Sequence, residues 1–273
     1  MSRKYANTEL GQIHYQDLGH GEPIVLLHQT ASSSVMYERS FPYLTESNRI
    51  IAIDTPGFGM SDSPPDSTQI IEFYSNAVSL VLDDAGIEKA HVVGFHTGAT
   101  TAIDFSTRFK KRIKSLTIFC VLALTADEQE EWLQRDDLSE RWHPDGEGLF
   151  IEKNILDYVA WFATANDGET YLREIIAKLQ AGPNYWWAYE GVIRYDHYNK
   201  YQEIECPTLV LNAENEVLYD YTLRTHEAIP NSLYKVIPCP PADTRGWTAV
   251  VAEYPEDFAE AIQDFTQTVT ESI

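Results

Sequence analysis

The 273-residue chain is short of positive charge: 20 lysines and arginines stand against 42 aspartates and glutamates, a formal net charge of −22. Such a surface repels phosphate backbones and anionic lipid, which argues against nucleic-acid and membrane-surface binding. It says little about any active site, because exposed charge is screened within about 10 Å at 0.1 M salt. Cysteine is scarce too. Cys120, Cys206 and Cys239 make no disulfide framework and show no C-x-x-C spacing, so they read as small apolar packing residues. No apolar run approaches transmembrane length, and the opening MSRKYANTEL lacks a signal peptide's apolar stretch, so a reduced, cytoplasmic setting is expected. Metal-ligand spacings such as H-x-x-H or H-E-x-x-H are missing, and Gly57-Phe58-Gly59 fits neither a phosphate loop nor a dinucleotide fingerprint. No metal and no cofactor are implied. Internal repeats and low-complexity segments are also wanting.

What the chain does have is alternation. Ile24–Leu27 reads as a strand, followed by an amphipathic stretch from Val35 to Leu44. Ile50–Ile53 is the next strand, then a helix from about Thr68 to Ala85 with Ile70, Tyr74, Ala77 and Val81 on one face. His91–Val93, a helix to about Phe109 and the strand Leu116–Phe119 follow, and Pro207–Leu211, Tyr219–Ala228, Leu233–Ile237 and a last helix with Phe258, Ala261, Ile262 and Phe265 close the pattern. Strand–helix alternation predicts an α/β fold with a mostly parallel twisted sheet and helices on both faces. The pattern breaks into helices alone between about Thr125 and Ile204, with Tyr171, Leu172, Ile175, Ile176 and Leu179 on one apolar face. Residues 1–124 and 205–273 are therefore expected to form a core domain, and 125–204 a helical cap inserted between its halves.

Gly94-Phe95-His96-Thr97-Gly98 stands at a strand–helix junction, with Ala99-Thr100-Thr101-Ala102 opening the helix. A turn this tight forces its central residue into a strained backbone, and small flanking residues keep it free of clashes. Leu26-Leu27-His28-Gln29 follows an early strand, Asp54-Thr55-Pro56-Gly57-Phe58-Gly59-Met60-Ser61-Asp62 forms a glycine-rich turn, and Glu253-Tyr254-Pro255-Glu256-Asp257-Phe258 opens the last helix. Together these segments resemble the α/β-hydrolase superfamily, in particular its capped branch of epoxide hydrolases, haloalkane dehalogenases and C–C bond hydrolases. The resemblance covers nearly the whole chain in order, the cap excepted. It implies a sheet of about eight strands, an active site between core and cap, and an oxyanion hole from the backbone N–H groups of Thr97 and of Gln29 or Thr30.

The catalytic residues depart from that family's pattern. Its triad runs nucleophile, acid, histidine in chain order. The nucleophile position is His96, where serine is usual, and the acid position is Glu216, one methylene longer than the usual aspartate. The histidine position falls on Trp247 or Thr248, and the only histidine after Glu216 is His226, inside a predicted helix. Ordinary serine hydrolysis is therefore excluded. Imidazole and glutamate are both longer than the groups they replace, so His96 and Glu216 together span the gap as a dyad, with Asp243 as a second candidate partner. A helix N-terminus disfavours imidazolium and a nearby carboxylate favours it, a balance suited to a general base.

A base beside an oxyanion hole fits cofactor-independent hydrolase or lyase chemistry on a small, largely apolar or aromatic carbonyl or ester compound. Attack by His96 as a nucleophile, through an acyl-imidazole, is the lesser variant. The competing reading is a catalytically inactive homologue that binds a small molecule or a protein; the imidazole still presented at the elbow favours the enzyme. Candidate substrate contacts are His28, Phe95, Trp142, Trp161, Trp186, Trp187, Tyr189 and Trp247. His28 reads equally as a residue that orients its loop, Asp54 as a turn residue, and about half the cap aromatics as ordinary core. Asp127 and Glu128 occupy a region where some relatives carry an alternative acid, but Thr125-x-x-Glu128 has the form of a helix capping box. A homo-oligomer is compatible with the sequence.

Overall fold

The computed structural model describes residues 2–134, 144, 146–151, 168–239 and 250–272. Its strands are β1 (Ser2–Thr8), β2 (Gly11–Gly19), β3 (Glu22–Leu27), β4 (Asn48–Ile53), β5 (Ala90–Phe95), β6 (Ile113–Phe119), β7 (Thr208–Ala213) and β8 (Leu233–Ile237). They form one eight-stranded sheet in the order β1-β2-β4-β3-β5-β6-β7-β8. β1 and β2 pair antiparallel, as do β2 and β4, and every later pairing is parallel. The predicted α/β class is thus the observed one.

The central parallel strands carry apolar runs such as Ile24–Leu27 and Ile50–Ile53 because both of their faces are covered. Side chains alternate between the faces with period two. Val25, Leu27, Ile51 and Ile53 join one buried cluster, and Ile24, Leu26, Ile50 and Ala52 join the other. Helices α2 (Ile70–Asp84) and α3 (Thr97–Arg108) bury Tyr74, Ala77, Val81, Ile103 and Phe105 in the first cluster. The short α1 (Phe41–Leu44) and the C-terminal helix, whose Phe258, Ala261, Ile262 and Phe265 face inward, cover the second.

Between β6 and β7 lie α4 (Ala126–Leu133), α5 (Gly168–Ala181), α6 (Trp186–Arg194) and α7 (His197–Tyr201); α8 (Tyr219–Ala228), α9 (Val250–Glu253) and α10 (Pro255–Glu271) follow β7. The inserted helices are tied to the core at named points. Tyr195 donates to Asp104 Oδ1 of α3 at 3.1 Å, and the same carboxylate accepts from Arg108 at 3.1 Å and from Ser75. His197 Nε2 lies 3.0 Å from Thr100 Oγ1, and Tyr189 donates to the Thr30 carbonyl at 3.1 Å. No helix among the described residues is long and apolar enough to cross a membrane.

The antiparallel hairpin β1–β2 at the sheet edge, with few apolar residues in SRKYANT and GQIHYQDLG, adds two strands to those read from apolar runs. Two expectations need correction. The stretch Val35–Leu44 is not one helix: a 3-10 turn at Ser34–Tyr37 gives way to α1, which Pro42 restarts in its first turn. The second correction concerns α5, whose apolar side faces outward. Leu172 is 55%, Ile176 53% and Leu179 38% exposed, whereas Thr170, Glu174 and Lys178 are buried.

Candidate active site

The elbow follows from two close approaches of backbone. A Cβ on Gly94 would sit 2.1 Å from the Gly98 carbonyl oxygen, and one on Gly98 would sit 2.1 Å from that of Leu27. Only glycine fits at either place. The chain therefore turns from β5 into α3 within a single residue, His96, at φ 51° and ψ −111°. A non-glycine residue in such a conformation costs on the order of 1–3 kcal/mol, a strain found mostly where a side chain must be presented. The His96 N–H is secured by the Phe119 carbonyl of β6 at 3.1 Å, and its carbonyl accepts from Ala99 at 2.9 Å as α3 begins.

His96 Nε2 lies 2.8 Å from Glu216 Oε1, and the two side chains are 9% and 1% exposed. Glu216 reaches the elbow from the turn after β7, where Asn215 takes a left-handed φ of 61° and donates to the Cys239 carbonyl at 2.7 Å. The second carboxylate oxygen, Oε2, accepts from the Leu218 N–H at 2.5 Å. Both carboxylate oxygens thus have donors, as a buried carboxylate requires. Beneath the pair, Phe95 packs its ring 4.2 Å from that of His96 and 4.7 Å from that of Phe119. Cys120, at φ 48° just past β6, is buried, and burial together with the neighbouring Glu216 charge pushes its thiol well above the usual range. It is held as a neutral thiol.

Thr97, Gln29 and Thr30 come together at the mouth of this turn. Thr30 donates from Oγ1 to Thr97 Oγ1 at 2.8 Å. Among the described residues, the backbone N–H groups of Thr97, Gln29 and Thr30 meet no protein acceptor. His28 is drawn off to other work. Its Nδ1 lies 2.7 Å from the Gln29 carbonyl and its Nε2 accepts from the Thr55 N–H at 3.0 Å, so backbone occupies both nitrogens. Burial lowers its basicity against the opposing pull of the Gln29 carbonyl. His28 positions its loop, and the expected substrate contact is not available to its ring nitrogens. Asp54 likewise fixes a turn, with its carboxylate bonded to His14, Ser34 N–H and Met60 N–H at 2.7, 2.8 and 2.9 Å. Burial pushes that carboxyl up, but these bonds outweigh it and hold the group below its usual value.

A small cavity of about 10 Å³, room for little more than one water, lies beside the elbow and is lined by Gln29, Phe95, Thr170, Glu174, Val251 and Ala252 among others. Trp186 and Tyr189 share one side of α6, with rings 6.0 Å apart, and Tyr189 bonds the Thr30 carbonyl. Trp187 does not join them. One residue along a helix turns the side chain by about 100°, and Trp187 lines a separate groove with Ile70, Ile71, Glu190 and Arg194. Trp142, Trp161, Asp243 and Trp247 lie outside the described residues. The Thr125–Glu128 capping box is present at the start of α4, and Arg224 holds the same glutamate at 3.0 Å. His226 lies in α8, bonded to Ser232 at 2.8 Å.

Sequence reasoning missed Glu174, Ser32 and Lys178. Ser32 donates to Glu174 Oε1 at 3.1 Å, while Glu174 Oε2 is buried without a hydrogen-bond partner among the described residues. Burial pushes the Glu174 carboxyl up to about 7 and draws the Lys178 ammonium down to about 7. The signal that would have found the two on α5 is the spacing Thr170–Glu174–Lys178, one polar residue per turn beside an apolar face; Ser32 carries no such signal.

An eight-stranded, mostly parallel sheet with a strained residue presented between β5 and α3 defines the class of α/β-hydrolase-fold enzymes. Residues 22–240 match the family described as "alpha/beta hydrolase fold", and the chain belongs to it. It is 27% identical over 257 residues to a 2-hydroxy-6-oxononadienedioate/2-hydroxy-6-oxononatrienedioate hydrolase of Paraburkholderia phymatum, covering 85% of this chain and 86% of that protein. To a 2-hydroxy-6-oxo-6-phenylhexa-2,4-dienoate hydrolase of Comamonas testosteroni it is 32% identical over 110 residues, 39% of this chain and 38% of the other. Among solved structures, a thermophilic esterase from Thermogutta terrifontis superposes with a TM-score of 0.78 at 22% identity, covering 98% and 99% of the two chains. With hydrolases as its relatives, the chain is an enzyme of this family.

Proposed function

We propose that the protein is a cofactor-independent hydrolase in which His96, oriented by Glu216, acts as a general base on a small, largely apolar carbonyl or ester compound. The observation that carries this reading is the 2.8 Å contact between His96 Nε2 and a carboxylate oxygen of Glu216. A carboxylate on one imidazole nitrogen fixes the ring's orientation and tautomer and stabilises the imidazolium formed when the ring takes a proton. With the proton on Nε2, Nδ1 is the basic nitrogen. It removes a proton from water as the oxygen attacks the substrate carbonyl, or from carbon next to that carbonyl where an enolate forms.

The developing oxyanion is received by the Thr97 N–H and that of Gln29 or Thr30. Donors already aimed at such a charge need no reorganisation during reaction, and removing one typically costs about 10²–10³ in rate. That these N–H groups meet no protein acceptor among the described residues supports this assignment. The helices between β6 and β7 act as the cap, with Phe95, Trp186 and Tyr189 giving the pocket its apolar and aromatic surface. The hydrolase names of the relatives, which denote oxo acids, support a carbonyl substrate.

The test is to incubate the protein with esters, lactones and β-keto acids and follow products by mass spectrometry. Product that forms in the wild type and falls roughly 10-fold or more in Glu216→Gln, with a shifted pH profile, is expected. A ligand retained tightly without any product would replace this reading with that of a binding module.

A further inference from the structure

Thr30, shortly after β3, is held from three directions. The Gln29 carbonyl accepts from the Ser32 N–H at 3.0 Å and lies 2.7 Å from His28 Nδ1. Because His28 Nε2 accepts from the Thr55 N–H, the ring proton is on Nδ1 and that nitrogen donates. A planar trans peptide carries its C=O and N–H on opposite sides, so anchoring the Gln29 carbonyl fixes where the Thr30 N–H points. The Thr30 hydroxyl donates to Thr97 Oγ1 at 2.8 Å, which ties together two residues whose N–H groups are assigned to the oxyanion. Its carbonyl accepts from the Tyr189 hydroxyl at 3.1 Å.

The third anchor differs from the others in origin. Tyr189 stands on α6, in the insertion between β6 and β7, whereas Gln29, His28 and Thr97 belong to the core. α6 is closely seated there, for a Cβ on Gly191 would lie 2.2 Å from Ile70 Cγ2 of α2. The Tyr189 ring is packed edge-on against Tyr185 with centroids 5.7 Å apart, and lies 6.0 Å from that of Trp186. Burial raises its phenol far above the usual range, so the hydroxyl keeps its proton and remains a donor. That donor is committed to backbone. Thr30 and Thr97 are 4% and 6% exposed, and a close-packed interior transmits a displacement of one to the other.

We propose that Tyr189 is a positioning residue. Through the Thr30 carbonyl it holds Thr30 and, across the hydroxyl pair, Thr97 in the places from which their N–H groups receive the oxyanion. The oxyanion hole is then complete only when the insertion is seated on the core. The inference rests on the proposed function for the role of those N–H groups; the link from Tyr189 to the two threonines is a property of the resting protein. It gives the Tyr189 hydroxyl to the architecture of the hole and leaves only the ring to face a substrate.

The test is Tyr189→Phe, which removes the hydroxyl and keeps the ring. On a compound that yields product, kcat is expected to fall about 10-fold, less than the loss of a whole donor, with KM changed by no more than about 2-fold. Thr30→Val should lower kcat as well, and the double variant should fall no further than the slower single variant, because both act through the same donors. Amide spectra of nitrogen-15-labelled protein read the link without turnover: the Thr30 and Thr97 resonances are expected to shift in Tyr189→Phe. The same shifts are expected in a His96→Ala background, so failure of the base and failure of this link are read separately. A raised KM at unchanged kcat would make Tyr189 a substrate contact. A lowered melting temperature at unchanged kcat would make it an anchor of the insertion alone. Either result, multiplying effects in the double variant, or an unmoved Thr97 amide would overturn the proposal.

Discussion

The elbow and the inserted helix α5 bury polar groups in opposite ways. At the elbow the carboxylate is satisfied: Glu216 has His96 on one oxygen and the Leu218 N–H on the other. On α5 the Glu174 carboxyl has Ser32 on one oxygen and nothing from the described residues on the other. The first arrangement holds a side chain in place. The second leaves one oxygen buried with its hydrogen-bonding capacity unfilled by the described residues. The difference teaches that a buried ionisable group has to be read by its unfilled positions as well as by its partners.

Substitutions sharpen the contrast, and the largest effect is expected at the elbow. Gly98→Ala places a methyl 2.1 Å from the Leu27 oxygen, and urea denaturation should show a loss of about 3 kcal/mol or failure to fold. A loss under 1 kcal/mol would mean that the turn relaxes easily and presents His96 loosely. Next comes the link between insertion and core. Tyr195→Phe removes a hydrogen bond to the buried Asp104 carboxylate and should cost about 1.5 kcal/mol.

Two buried groups, His91 at the start of β5 and Glu174 on α5, should respond to pH with opposite sign. Burial holds His91 of β5 down to about 4, against an ordinary value of 6.5. The unfolded chain binds that proton first, so the contribution of His91 to stability is full above pH 6.5 and is lost as the pH falls toward 4. Glu174 runs the other way. Its folded value of about 7 lies above the ordinary 4.5, so its contribution is full below pH 4.5 and is lost as the pH rises toward 7. Melting temperatures of the wild type and Glu174→Gln should therefore diverge between pH 4.5 and 7, the wild type falling relative to the variant. Parallel curves would break the contrast. The smallest effects belong on the outer face of α5: Leu172→Ser and Ile176→Ser should change stability by no more than about 0.5 kcal/mol. A loss near 2 kcal/mol would show that this face is covered in solution.

The same contrast marks what the sequence made legible. Ile24–Leu27 and Ile50–Ile53 were readable as strands because a sheet covered on both faces demands continuous apolar runs. The Gly94–Gly98 spacing revealed the elbow because its glycines answer to backbone contacts that no other residue allows. Glu216 was found from its place after β7. In α5 the same logic misled: Leu172, Ile176 and Leu179 have helical spacing, and periodicity reports a face without saying which side of it meets the core. Only the tertiary placement over Ser32 and Phe95 turned Thr170 and Glu174 inward. His28 also outran its pattern, since which backbone groups would claim its two nitrogens depends on the approach of Thr55 from a different strand end.

The central claim is that His96 performs the proton transfer of this enzyme. It is tested most directly by comparing turnover of the wild type and His96→Ala on whichever ester, lactone or β-keto acid yields product. A general base contributes roughly 10²–10⁴-fold, so turnover in the alanine variant should fall by at least about 100-fold with the fold retained. Unchanged turnover in a folded His96→Ala protein would contradict the account.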